Sequence, residues 1–316
     1  MMKSRLVALL AVGLAALAVI FTGLRFISQS SPPGAAHARL PVSPASYLGV
    51  YEQGAPPSYR PITDFARAAG GQPNLDGYFS GWAEPFASTF AREVHARGGT
   101  LYVQIDPTFA SVSGIADGAY DDYLRSYADS VRDFGHAVVI GFGHEMNAPW
   151  YSWGYGHVPA ATFVRAWRHI VDLFRAEGAD NVTWLWTINA DLPGTGPVRD
   201  WWPGDQYVGW VGIDGFYNKS SNTFTSVFGR TIGQVRAFTG KPLLVAETAV
   251  APRAGQFVKI GDLFAGVRSD RLLGLVWFDF RQRGGPFRQD WRVESSRVAQ
   301  AAFKLGVSSA LHLVHP

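Results

Sequence analysis

Glu145 and Glu247 each close a run of strand-forming apolar residues. His136–Phe142 leads into Gly143-His144-Glu145-Met146-Asn147-Ala148-Pro149-Trp150, and Pro242-Leu243-Leu244-Val245-Ala246 leads into Glu247-Thr248. A carboxylate at the end of a buried strand is costly unless something pairs with it. Two such carboxyls placed to meet are what breaking a glycosidic bond requires. One protonates the leaving oxygen; the other attacks the sugar or activates water, and the two need different environments. Glu145 has His144 beside it and Trp150, Tyr151 and Trp153 just after it. An apolar, aromatic wall disfavours the ionised form, which suits a general acid. Glu247 needs hydrogen-bond donors to stay an anion, and Tyr217 is the expected one, which suits a nucleophile.

Other chemistries find less support. His144-Glu145 starts like the zinc motif H-E-x-x-H, but Ala148 stands where the second histidine belongs. No G-x-S-x-G elbow and no Walker loop is present, and the chain has 0 cysteines. No metal and no cofactor is expected, since two carboxylates suffice. A glutamate at a strand end is more often a helix cap or an ion-pair partner than a catalyst. Here there are two, one of them set among tryptophans, and together they outweigh that reading.

The elements that would position these groups alternate along the chain. Strands are read at Tyr47–Tyr51, Leu75–Trp82, Leu101–Ile105, His136–Phe142, Val182–Ile188, Val208–Phe216, Leu243–Ala246 and Leu272–Phe280. Helices are read at Ile62–Ala69, Pro85–Arg97, Tyr120–Phe134, Thr162–Glu177, Thr231–Phe238, Ile260–Val267 and Ser295–Leu305. In Tyr120–Phe134, Tyr123, Leu124, Tyr127, Ala128 and Val131 share one face at the helical period. Strands apolar on both faces and regular β–α alternation predict an α/β fold. Eight units predict a single (β/α)8 barrel over residues 47–308, rather than a doubly wound sheet, because Tyr51-Glu52-Gln53-Gly54-Ala55-Pro56 lacks a phosphate-binding turn. In such a barrel the active site lies at the C-terminal strand ends, where Glu52, Asp106, Glu145, Asn189, Tyr217, Glu247 and Asp279 all fall. The ends of strands four and seven face each other across the ring.

Composition agrees. Of 316 residues 47 % are hydrophobic and only 17 % charged, enough apolar material for a large core. The net charge of +3 is scattered without a basic stripe, so nucleic acid is not an expected partner. Aromatic residues near strand ends suit sugars, whose rings have an apolar face. Trp150, Trp153, Tyr217 and Trp277 are expected at the site, Trp201, Trp202 and Trp210 at an outer subsite, and Trp167, Trp184 and Trp186 in the core. At the N-terminus Lys3 and Arg5 precede an uncharged apolar run from Leu6 to Leu24, and Ala36-His37-Ala38 offers a cleavage pattern. Residues 1–38 are read as a signal peptide or membrane anchor and 39–46 as a linker, giving a secreted or membrane-anchored extracytoplasmic protein, expected to be a monomer.

With these residues in hand, the chain resembles glycoside hydrolase family 26. The likeness rests on His144-Glu145-Met146-Asn147 with Trp150, Tyr151, Trp153 and Gly154 after it, on Leu244-Val245-Ala246-Glu247-Thr248, and on Trp277. It covers roughly residues 45–305. The resemblance implies a (β/α)8 barrel and a retaining mechanism with Glu145 as acid/base and Glu247 as nucleophile. It also implies that His144 helps hold the nucleophile or the sugar, Asn147 belongs to the substrate site, Tyr217 hydrogen-bonds Glu247, and Trp150 and Trp277 shape the −1 subsite. The implied substrate is a β-1,4-linked polysaccharide, β-mannan first, with mixed-linkage β-glucan and xylan as alternatives. Mannan-cleaving members usually carry glycine where Ala148 stands and a tryptophan-histidine pair late in strand three, where this chain has Val103-Gln104-Ile105-Asp106-Pro107. A carbohydrate-binding or polysaccharide-assembly protein without catalysis is the competing class, and a transglycosylase would use the same residues.

Overall fold

A computed structural model describes residues 40–284 and 288–314; the N-terminal residues 1–38, read as a signal or anchor, lie outside them. Among the described residues no helix is long and apolar enough to cross a membrane.

Each apolar run forms a parallel strand: β1 (Tyr47–Glu52), β2 (Leu75–Gly81), β3 (Thr100–Asp106), β4 (Val138–Phe142), β5 (Val182–Asn189), β6 (Trp210–Asp214), β7 (Leu243–Thr248) and β8 (Gly274–Asp279). The strands pair in chain order and β8 closes on β1, so the sheet is a barrel and the doubly wound alternative is excluded. The helices are α1 (Arg60–Ala69), α2 (Ser88–Ala96), α3 (Val112–Ala116), α4 (Asp121–Phe134), α5 (Ala160–Ala176), α6 (Arg230–Arg236), α7 (Gln256–Ser269) and α8 (Arg297–Ala310). The short α3 was not expected. Between β5 and β6 two 3₁₀ turns, Val198–Trp201 and Asp205–Tyr207, replace a helix. Pro197, Pro203 and Gly204 punctuate that stretch.

Local sequence explains the element ends. In α4, Asp121 and Asp122 sit in the first turn and Arg132 in the last, matching the helix dipole, and Gly135 at φ 73° caps the C-terminus. In α8 the Ser296 hydroxyl accepts a hydrogen bond from the Ala299 N–H at 3.2 Å.

Strand alternation divides the core into two layers. Outward residues such as Leu48, Val50, Ile140, Trp186, Val245 and Trp277 pack with the helices. Inward residues such as Tyr51, Leu75, Tyr102, Val139, Leu244 and Val276 fill the barrel. Large and small interlock inside: a Cβ on Gly77 would stand 2.6 Å from the Tyr51 ring, so glycine there makes room for the tyrosine. The stretch before β1 belongs to this packing: Leu40 is buried in the inner cluster, and the Tyr47 hydroxyl donates to the Pro41 carbonyl at 2.8 Å. Trp167, Trp184 and Trp186 are core, as expected. Trp201, Trp202 and Trp210, expected at an outer subsite, are packing residues instead. Trp201 meets Phe163, Trp202 meets Trp186, and Trp210 lies inside the barrel against Tyr47.

Candidate active site

A cleft of about 700 Å³ opens at the C-terminal ends of the strands, lined by Asp106, His144, Glu145, Asn189 and Glu247 among others. The two glutamates, from β7 and the segment after β4, thus share one cavity.

The peptide makes a sharp turn at Glu145. Gly143 (φ 53°) and Glu145 (φ 54°) both take left-handed backbone, a conformation that costs a non-glycine residue about 1–3 kcal/mol. At Gly143 a Cβ would also meet the Phe163 ring at 2.9 Å. The turn is held by the Glu145 N–H donating to the Thr187 carbonyl (3.0 Å) and the Ala148 N–H donating to the Glu145 carbonyl (2.9 Å). It aims the Glu145 carboxylate into the cleft, where Asn189 Nδ2 donates to Oε1 and Trp150 Nε1 to Oε2, each at 2.6 Å. Asn189 is fixed in turn by Asn147, whose Oδ1 accepts the Asn189 N–H (2.8 Å) and whose Nδ2 donates to the Asn189 carbonyl (2.9 Å). Asn147 therefore does not line the cleft; it positions the residue that does.

His144 is buried between Asp106 and Tyr151. Its Nδ1 donates to Asp106 Oδ1 at 2.9 Å and its Nε2 lies 3.2 Å from the Tyr151 hydroxyl. Burial opposes a charge on the imidazole, but Asp106, with Glu145 and Glu247, outweighs burial and raises it to about 9. The Asp106 carboxylate beside it thus favours the charged form of His144. Trp153 backs this group: its Nε1 donates to the His144 carbonyl at 2.9 Å and its ring stacks on Tyr151 at 4.4 Å.

Glu247 owes its aim to an irregularity. Alternation along β7 puts Ala246 inside the barrel, so an unbroken strand would turn the next residue outward. The register with β6 and β8 shifts at this point, and Asp214 pairs with Glu247. The shift lets Glu247 reach the cleft. Burial and the Glu145 carboxylate push its carboxyl up to about 8, while the His144 charge pulls the other way. Asp214, 1 % exposed, is raised well above the ordinary range by burial and by Glu247.

These environments differ from the expected ones. Glu145, rather than Glu247, carries the two N–H donors, and the carboxyl pushed up is Glu247. Tyr217 is not Glu247's donor: its hydroxyl donates to Asp262 Oδ2 at 3.0 Å, outside the cleft, and Phe216 lines the cleft instead. Trp277 is not a cleft floor either. It is an outward residue of β8, buried against Phe303 of α8, with Nε1 donating to the Trp291 carbonyl at 2.9 Å. Its inward neighbour Phe278 faces the cleft and stacks on Phe280 at 4.3 Å. Of the strand-end candidates, Glu52, Tyr217 and Asp279 lie away from the cleft. Asp214, Phe79 and Phe278 were missed, although alternation marks them: each continues the inward parity of its strand.

The chain is similar to known proteins in sequence and in fold. The family model of glycosyl hydrolase family 26 matches residues 101–300. Endoglucanase H of Acetivibrio thermocellus is 29 % identical over 273 residues, 81 % of this chain and 30 % of that protein. Mannan endo-1,4-beta-mannosidase A and B of Caldalkalibacillus mannanilyticus is 26 % identical over 123 residues, 37 % of this chain and 23 % of that protein. The chain thus spans a third or less of the length of these relatives. Among solved structures, the Bacillus subtilis mannanase man26 superposes with a TM-score of 0.63 at 15 % identity, over 86 % of this chain and 87 % of that one, which shows the shared barrel. With 200 residues matched by the family model and both glutamates in one barrel mouth, the chain belongs to glycosyl hydrolase family 26.

Proposed function

We propose that the protein is a retaining endo-β-glycanase that hydrolyses β-1,4-linked polysaccharide by double displacement, with Glu145 as acid/base and Glu247 as nucleophile. One observation carries this reading: Glu145 and Glu247, from opposite sides of the ring, line one aromatic-walled cleft in a chain of this family. Sugar rings would lie on the faces of Phe278, Phe280 and Trp150. Glu145 protonates the leaving oxygen while Glu247 attacks the anomeric carbon. The Glu145 carboxylate then takes a proton from the water that displaces Glu247. Trp150 and Asn189 keep the Glu145 carboxylate aimed through both steps. The His144 cation favours the ionised form Glu247 needs for attack.

Among backbones, β-glucan is the substrate to try before β-mannan. The relative that matches most of the chain is named an endoglucanase, whereas the mannosidase matches 37 % of it. The experiment is sugar release from β-glucan, galactomannan and xylan, with the product anomer followed by proton NMR. Initial release of the β-anomer supports retention. Initial release of the α-anomer sinks the double displacement, and release from none of the three sinks the glycanase reading. The charged and apolar N-terminal residues support export from the cytoplasm, which N-terminal sequencing of the mature protein tests.

A further inference from the structure

A second group of carboxyls lies outside the cleft. Glu52 ends β1 and Asp279 ends β8, and they are register partners across the seam where the barrel closes. Tyr51 lies in the inner layer and Phe278 lines the cleft, so alternation turns the residue after each of them outward. There they meet Glu294, from the turn Val293–Ser295 before α8, and one oxygen of each carboxyl lies within 4.8 Å of the other two. Glu52 is 6 % and Asp279 0 % exposed.

Hydrogen bonding accounts for only part of this cluster. The Val293 N–H donates to Asp279 Oδ1 at 2.7 Å. Otherwise the Asp279 carboxyl meets the carboxyls of Glu52 and Glu294, contacts that need a shared proton or a cation to hold them, and no other donor reaches Asp279 Oδ2 or Glu294 Oε2. The neighbouring cation, Arg292, is committed elsewhere. Its Nε and Nη2 grip Asp290 at 2.8 Å each, and its Nη1 only reaches Glu294 at 3.9 Å. Two buried carboxyls crowded against a third that is partly exposed, with no dedicated counter-charge, are an unfavourable arrangement when ionised.

We propose that Glu52, Asp279 and Glu294 bind one calcium ion. Oxygens that share a calcium at about 2.3–2.6 Å each stand up to about 5 Å apart, and all three oxygens fall inside that limit. Calcium also accepts an irregular oxygen shell, whereas magnesium demands a near-ideal octahedron. A donor set of carboxylate oxygens alone selects a hard cation over a transition metal. Backbone carbonyls and water complete the shell in such sites. The ion would tie β1 and β8 to the turn before α8, and so steady Phe280 and Trp291, which flank the cluster in sequence and line the cleft. Protons compete for the same oxygens. Carboxylates hold the ion only when ionised, so calcium affinity rises with pH.

The test is independent of catalysis. The full protein is stripped with a chelator, desalted, and titrated with calcium chloride at pH 8 by calorimetry, with thermal midpoints measured in parallel. The expected result is one ion per chain and a midpoint raised by about 5–10 °C at a hundredfold excess over Kd. Asp279→Asn should abolish both signals. Glu294→Gln, which leaves the two strand-end carboxyls in place, should weaken binding about tenfold or more while the protein stays folded. If Asp279→Asn does not fold, Glu294→Gln decides. Absence of both heat and midpoint shift overturns the proposal and leaves the cluster holding protons. Binding undiminished in both variants overturns it as well, because the ion then sits elsewhere.

Discussion

At the mouth of the barrel, Glu145 and Glu247 open onto a cleft, and Glu145 has a donor on each oxygen. At the seam, Glu52 and Asp279 are shut away from the cleft beside Glu294, and two oxygens of the cluster have no donor outside it. Both groups are carboxyls at the C-terminal ends of strands, so height in the barrel does not distinguish them. What differs is the direction each side chain takes. Glu52 and Asp279 keep the outward parity of their strands. Glu247 escapes that parity through the register shift at the end of β7, and Glu145 through the left-handed turn after β4. Each of the two glutamates is therefore aimed by a local backbone irregularity, while the unbroken ends of β1 and β8 turn their carboxyls away from the cleft.

The sharpest way to break the contrast is to remove one carboxyl from the mouth. Glu247→Ala should lose turnover altogether, and azide should restore it with an inverted product; normal turnover would remove Glu247 from the nucleophile role. Glu145→Ala should lower kcat about 10²–10⁴-fold, roughly 3–5 kcal/mol in barrier. The loss should shrink on aryl glycosides with good leaving groups, and an equal loss on both substrates would count against acid catalysis. Trp150→Phe keeps the ring but removes the N–H on Glu145. Because the residue is 50 % exposed, the expected loss in kcat/KM is at the low end for a bond to a charged group, about tenfold.

Titration sharpens the contrast further. A nucleophile must be ionised, and Glu247 is raised to about 8, so kcat/KM on an activated substrate should climb as pH rises through about 8. Replacing Glu145 by Gln removes a negative neighbour and should move that limb to lower pH; an unmoved limb would uncouple the two groups. Stability runs the opposite way. Glu52 and Glu247 are raised to about 8 and His144 to about 9. Their contributions are complete below the unfolded values, near 4.5 and 6.5, and are lost as pH rises through the folded ones. The thermal midpoint without calcium should therefore fall between about pH 5 and pH 9. The smallest effect belongs to Tyr217→Phe. It removes a hydroxyl bonded to Asp262, should cost about 1 kcal/mol of stability, and should leave turnover intact. A large loss of turnover would return Tyr217 to the site.

Much of the barrel was legible before any coordinates. Tyr47, Leu75, Val182 and Leu243 open their strands in both readings, because apolar runs of that length bounded by turn residues have few other uses. Aspartates at the start of α4 and Gly135 at its end likewise mark a helix by local chemistry. The site was legible by position but less so by direction. Trp277 and Phe278 are adjacent aromatics on one strand, and only knowing which faces the axis assigns the cleft to Phe278. Tyr217 and Phe216 pose the same problem at the end of β6.

The amino-acid order by itself determined the eight β–α units, the apolar face of each helix, and the two glutamates that close strands four and seven. These follow from short-range periodicity and turn chemistry, which do not depend on the rest of the chain. Only the tertiary structure decided which strand-end carboxyls share a cavity, which donors reach Glu145, and that Glu52, Asp279 and Glu294 crowd together. Those outcomes depend on barrel closure and on one-residue shifts of register, and a one-residue shift turns a side chain to the opposite face.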